Sequence, residues 1–525
     1  MQPFGSFYIH KNNLFAFMKL TTIFSFIVLF NSLAVMGQQN FANFPVKINP
    51  KQGYAVVDSS GSVGYLFEGN KQYQFTIVNA GKQVERTTIA PRLSQNKKDD
   101  LHGAALNDST FTAYLINKKS GLITSIITNR NTGAFRQQTI GQLGRGDQFL
   151  RAFPYRGEFY FLTVPSHSNV LKVLKSSDGQ RLIETAYPIE MTTFYTALST
   201  NNELLNEEAE SDVGIEFIKQ GLENNIKSSY SKKKLYCQDD KIIFTFDEAH
   251  LTHLVTVDLS SKKAEYKKLN FTLDKGNNST SKRGNSFVYD NHIFRTTISP
   301  QQLNISIVNI DSMALSNTYN IYPEEEIKIL NGPMLQEGGT NTMAMDERVI
   351  KKTSQYFSKV LNGNIAIAAN KLDSGRYQVE VGSYEEFVSR GGSGFGGPTV
   401  SFGMGMGMGV GFGSGMGMGF GSPMGSPFGF GSGYYGYPGY YPFNNSYNTR
   451  LRIVSFKTLL KEGEFSHAKG ELPKTLRQQI SDYFEKNFRN SPPELHLITP
   501  YRENAVLLGA YSSSKDNFYI VELTK

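Results

Sequence analysis

A unit of about 40 residues recurs along this chain, always with the same order of parts. A short apolar strand leads through a turn to a second strand. A third strand follows, ending near Asn, Asp or Ser, and then a more polar last one. The clearest pair is Leu235 to Phe271 (LYCQDDKIIFTFDEAHLTHLVTVDLSSKKAEYKKLNF) against Ser286 to Tyr322 (SFVYDNHIFRTTISPQQLNISIVNIDSMALSNTYNIY), which match almost turn for turn. In both, an Asp or Asn turn follows the first strand, and Val255/Val257/Leu259 or Leu303/Ile305/Ile307 alternate along the third, the pattern of a half-buried strand. The plan also fits Gly53 to Ile89, Leu101 to Ile140 and Phe149 to Ile189. A sixth unit starts near Tyr356, runs through NGNIAIAANKLD, is interrupted, and resumes at Arg450 with RLRIVSFKTLLKEGEF. The last, LHLITPYRENAVLLGAYSSSKDNFYIVEL, ends after three strands.

The lone strand-like piece Phe44 to Asn49 can supply the missing strand, joining both chain ends in one sheet. With this repeat the chain resembles the β-propeller superfold. The expected fold is all-β, a propeller of about seven blades closed by an N-terminal strand, with a glycine-rich insertion in the penultimate blade and one or two short helices. No family signature accompanies the pattern. The Gly-His and Trp-Asp marks of WD40 blades are missing, tryptophan is absent, and Ser177-Asp178-Gly179 lacks the flanks of a sialidase-type Asp box. The resemblance therefore implies a fold and no activity. The two helical stretches are Lys474 to Arg489, which puts Leu476, Ile480, Tyr483, Phe484 and Phe488 on one face and should pack between the last two blades, and a shorter amphipathic piece within Ser211 to Ser229.

The insertion, residues 374–449, contains the one segment with unusual chemistry. Between Gly391 and Thr449 there is no Asp, Glu, Lys or Arg. Glycine alternates with Met404, Met406, Met408, Phe412, Met416, Met418 and Phe420, and Tyr434, Tyr435, Tyr437, Tyr440 and Tyr441 follow. Glycine at about 1 kcal/mol per residue relative to alanine argues against a helix. The segment is either a flexible loop or an extended strand with large side chains on one face and bare glycine on the other. The second form suits stacking on further copies, on an apolar surface, or on a glycan through the tyrosines. Methionine thioethers also suit Cu(I), but Phe412 and Phe420 share their slots and no His or Cys lies in the segment, so no metal or other cofactor is expected.

Residues 1–37 carry the grammar of an export signal: Lys11 and Lys19, the mostly apolar Leu20 to Met36, then Val35 and Gly37 where a peptidase reads. Thr21, Thr22, Ser25, Asn31 and Ser32 interrupt a run already near the short limit of roughly 17–25 residues for a spanning helix. The expected product is residues 38–525, with no transmembrane span, in a periplasm, on a cell surface or secreted. Its single cysteine, Cys237, allows no intrachain disulfide and reads as a small buried hydrophobe. The net charge of +8 is spread along the chain, with few clusters such as Lys232-Lys233-Lys234, so nucleic acid is not an expected partner.

No catalytic set emerges. In Asp247-Glu248-Ala249-His250-Leu251-Thr252-His253 the histidines are three apart on a hairpin, not four apart on a helix, which suggests a solvent-facing turn. Gly141-Gln142-Leu143-Gly144-Arg145-Gly146 reads as a linker between blades, and Glu324/Glu326 and Glu207/Glu208 as solvated loops. The expected function is a non-catalytic binding or structural platform with a protein or glycan partner at the cell envelope, self-association included. The competing class is a hydrolase or lyase acting where inner strands converge on the propeller channel.

Overall fold

The computed structural model describes residues 38–92, 99–199, 214–276, 279, 282–338, 347–372, 375–388, 449–488 and 493–524. Among them, seven sheets follow one another along the chain, at residues 52–91, 99–142, 147–188, 216–270, 283–321, 334–461 and 495–524. Neighbouring strands are antiparallel except for one added strand in the fourth sheet. The seventh sheet takes its outer strand from Gln38–Pro45, which pairs with Asn517–Thr524 from Gln38↔Leu523 to Pro45↔Asn517. The strand thus lies a few residues before the expected Phe44 to Asn49.

Local chemistry explains the hairpins. The first hairpin of the fourth sheet closes on Asp239 and Asp240, both left-handed at φ 48° and 59°, as a two-residue turn matching strand twist requires. After the third strands, the Asn129, Asp258 and Asn309 side chains accept the backbone N–H groups of Thr132, Ser261 and Ser312, at 2.8, 2.8 and 3.0 Å. These are the Asn and Asp positions legible in the repeat.

Consecutive sheets share apolar clusters. One joins the first sheet to the second, another the second to the third, another the third to the fourth, and a large one spans the fourth, fifth and sixth. A further cluster joins the seventh sheet to the first through Phe44, Tyr65, Phe67 and Phe518. First strands of successive sheets touch, including Gln52–Val57 with Leu495–Arg502 and with Asp99–Leu106. This is a β-propeller.

Sandwiching corrects one sequence reading. Leu303–Asn309 is buried on both faces rather than half-buried, because neighbouring sheets cover each side. Its polar residues are satisfied internally, with Asn304 donating to Asn320 Oδ1 at 2.7 Å and Ser306 donating to Asn304 Oδ1 at 2.6 Å. The last strand, Leu315–Ile321, alternates exposed and covered positions, as its polarity suggested.

Helices are few and short, but there are more than expected: Phe194–Ser199, Ile226–Ser229, Thr353–Val360 and Leu476–Phe488 among the described residues. The last buries Leu476, Ile480, Tyr483 and Phe484 against Ile498, Val506 and Leu508 of the seventh sheet, while Arg477 pairs with Glu337 of the sixth at 2.9 Å. The stretch within 211–229 is not one amphipathic helix; it is the strand Glu216–Ile218, a loop, and a four-residue helix. The sixth sheet also departs from the repeat. Its chain runs on from Thr449–Lys461 into the helix of the next unit, so Met334–Gly338 and Glu347–Ile350, lying earlier in sequence, cover its outer edge. No helix among the described residues is long and apolar enough to cross a membrane.

His496, on Leu495–Arg502, faces Phe484 of this helix and is 6% exposed. Burial lowers its pKa from 6.5 to about 4. The unfolded chain therefore binds more protons than the folded one between those values, so stability is full above pH 6.5 and falls as pH drops toward 4. The expected loss, on the order of 3 kcal/mol, should vanish in His496→Phe when unfolding free energy is measured against pH.

Candidate functional site

One segment of the chain leaves the fourth sheet, reaches the sixth and seventh, and returns. Glu216–Ile218 adds parallel to Lys233–Gln238, on the side away from the rest of the fourth sheet. The chain then leaves that sheet and reaches the sixth. There the Asn224 N–H donates to Asn370 Oδ1 at 2.6 Å, and Asn370 Nδ2 returns a bond to the Asn224 carbonyl at 2.7 Å. Leu222 joins the apolar cluster of Leu476 and Ile480 beside the seventh sheet. The turn into Ile226–Ser229 is capped by Asn225, whose side chain accepts the Ser228 N–H at 3.1 Å while the Ser228 hydroxyl accepts the Asn225 N–H at 3.0 Å. Ile226 then packs on Ala366 and Tyr384, Tyr230 stacks on Tyr384 at 4.4 Å, and the chain returns to Lys233. The excursion thus starts and ends on the fourth sheet and links it to the sixth and seventh.

A cavity of about 920 Å³ lies beside this segment, lined by Gly221 to Asn224, by Gln238 and Asp239, by Asp290, by Lys371 and Gln378, and by Arg502 to Asn504. Glu223 sits in its wall and accepts the Leu476 N–H at the start of the helix. Burial raises its pKa, opposed by Lys457 and by that bond.

A second cluster lies between the fourth and fifth sheets, where Lys234, Asp247 and Arg295 are all fully buried. Asp247 takes Lys234 Nζ at 3.2 Å and Arg295 at 3.0 Å, with the Thr252 hydroxyl at 2.7 Å and the Ser286 N–H at 2.8 Å. Burial opposes its charge, but these donors hold its pKa below the ordinary value. Burial lowers the pKa of Lys234 and of Arg295. Arg295 also sits over the Phe271 ring at 4.7 Å and donates to the Glu248 carbonyl at 2.7 Å. This ties two sheets together and is sealed from solvent, so its role is structural.

It also corrects the reading of the Asp247 to His253 stretch. Asp247 is buried, not solvent-facing, because the neighbouring sheet brings Arg295 to it. His250 is exposed, and His253 lies between Tyr266 Oη at 2.7 Å and Glu248 at 3.2 Å. Within the basic triplet, Lys233 and Lys234 are buried rather than solvated. Lys233 donates to the Leu198 carbonyl at 2.9 Å, and burial lowers its pKa to about 8. The signal for this cluster was Arg295 in the middle of HIFRTTI, a full charge among aromatic, aliphatic and hydroxyl side chains.

Cys237 is buried, and burial pushes its thiol up to about 12, which suits a core residue. Leu143 to Gly146 joins the second sheet to the third, while Gly141 and Gln142 end the strand Phe135–Gln142, and Glu324 and Glu326 are exposed. No three His, Cys, Asp or Glu side chains among the described residues are grouped as a metal site needs. Met404, Met406, Met408, Phe412, Met416, Met418, Phe420, Tyr434, Tyr435, Tyr437, Tyr440 and Tyr441 lie outside the described residues, as do residues 1–37 and Glu207/Glu208. Of the stretch 374–449, Arg376–Val388 is a strand of the sixth sheet, paired with Thr449–Lys461 out to Val388↔Thr449.

No family model matches the chain. No curated protein matches it. Similar solved structures include apo AztD from Citrobacter koseri, at 12% identity over 51% of this chain and 59% of that one, TM-score 0.25. A prolyl endopeptidase shares 9% identity over 64% of this chain and 40% of its own, TM-score 0.28. The Dos1 propeller shares 10% over 65% and 83%, TM-score 0.26. The chain spans 59% of AztD and 40% of the endopeptidase. Overlays this loose carry no argument about activity.

Proposed function

We propose that the chain is an exported, non-catalytic binding or structural platform. In this reading the seven sheets are seven blades, Gln38–Pro45 closes the ring, and the uncharged segment 391–449 holds a protein or glycan at the cell envelope. The supporting observation is the excursion of residues 216–230 from the fourth sheet to the sixth and seventh and back. Propeller enzymes gather their reactive groups where inner strands converge, and in this reading the excursion fills that space, held by main chain bonded to Asn370 and by Leu222 and Ile226 in apolar clusters. The paired strands up to Val388↔Thr449 bring both ends of the segment to one point, from which it can act as a single tether.

The test is expression of the full chain and of a form with 391–448 replaced by a short Gly-Ser linker in cells with an envelope. The exported product is expected to begin at Gln38, and retention on isolated envelope should drop at least tenfold in the deletion form at equal thermal stability. A product retaining residues 1–37, or equal retention of both forms, overturns the reading.

A further inference from the structure

We propose that the cavity beside residues 216–230 binds a neutral polyhydroxylated ligand, a short saccharide, with the Gln378 side-chain carbonyl accepting one of its hydroxyls. Gln378 lies on Arg376–Val388 in the interior of the sixth sheet, paired with Asn370 on one side and Leu459 on the other. It is 3% exposed, and its Oε1 is buried without a hydrogen-bond partner among the described residues. Several buried side-chain atoms share that condition, but of the residues carrying them Gln378 alone lines this cavity. A buried acceptor at the wall of a cavity calls for a donor from within it.

The rest of the lining narrows the donor's chemistry. Gln220 and Gln238 bond to each other at 2.8 Å, and side-chain amides both donate and accept, as sugar hydroxyls do. The half-buried Tyr289 offers an aromatic surface for the apolar face of a sugar ring. Charges of both signs line the cavity, Asp239 and Arg502 among them, which favours neither a polyanion nor a polycation. The volume of about 920 Å³ lies within the roughly 300–1,000 Å³ of small-molecule sites. This site goes beyond the platform reading, because binding here needs neither export nor the glycine-rich segment.

The experiment is calorimetric titration of purified residues 38–525 with maltotriose, cellotriose and triacetylchitotriose. Saturable binding of at least one is expected, weakened at least tenfold by Gln378→Met, which keeps the side-chain length and removes the acceptor. Gln220→Ala, at an exposed position that leaves the core untouched, is expected to weaken it at least threefold and guards against misfolding of the first variant. The form lacking 391–448 should bind as the whole chain does, so failure of the tether and failure of this site are separable. Absence of saturable binding to all three sugars, or affinity unchanged in both variants, overturns the proposal.

Discussion

Replacing Asp247 with alanine is expected to cost about 3–5 kcal/mol of folding stability, the range found when one partner of a buried ion pair is removed. The substitution leaves two cations, Lys234 and Arg295, facing each other in a site sealed from water, and also strips the Thr252 hydroxyl and the Ser286 N–H of their acceptor. Lys234→Met should behave differently. The cluster holds two cations for one carboxylate, and burial already lowers the Lys234 pKa, so exchanging that side chain for an apolar one leaves the Asp247–Arg295 pair intact. Its expected cost is within about 1 kcal/mol, since apolar replacements of buried ions are often neutral. Denaturant midpoints of both variants, compared at unchanged slope, check the difference. Equal losses would mean that Lys234 is as necessary to the cluster as Asp247.

The same cluster shows what sequence reasoning reaches and where it stops. Periodicity and turn chemistry are local, so the recurring sheets, the Asn and Asp turns and the helix Leu476–Phe488 were legible from residue order. Pairing across units is not local. Arg295 and Asp247 are 48 positions apart and belong to different sheets, and nothing in either segment alone says that they meet. Asn224 and Asn370, 146 positions apart, are further out of reach. The outer strand of the sixth sheet was missed for a related reason, because the repeat predicts each sheet from consecutive strands while Met334–Gly338 reaches its place from upstream. Gln378 falls within the stretch 374–449 read as an insertion, so neither its strand nor the burial of its side chain was in reach of the repeat pattern. The glycine-rich segment was conspicuous by composition, yet composition says only what it could touch.

Starting the chain at Val46 is expected to remove about 5 kcal/mol or more, comparable with the whole stability of many proteins. Two terms add. Phe41 and Phe44 are 3% and 1% exposed, and deleting a buried phenylalanine side chain costs about 3–5 kcal/mol even when the backbone remains. Phe44 also contacts Tyr65 and Phe67 of the first sheet, so the cluster joining first and seventh sheets loses its middle. The second term is the bare edge of Asn517–Thr524, whose unpaired groups become a template for other chains, so the truncated form should also associate in size-exclusion chromatography. A rearranged chain separates strand pairing from mere chain length. Because Gln38 lies opposite Leu523 and Pro45 opposite Asn517, residues 38–45 appended after the last strand through a short Asn-Gly turn would enter the vacant position in the native direction. Restored stability and a monomeric elution would show that the two ends are held together through this strand pair. A truncated chain as stable as residues 38–525 would remove the N-terminal strand from any part in holding the sheets together.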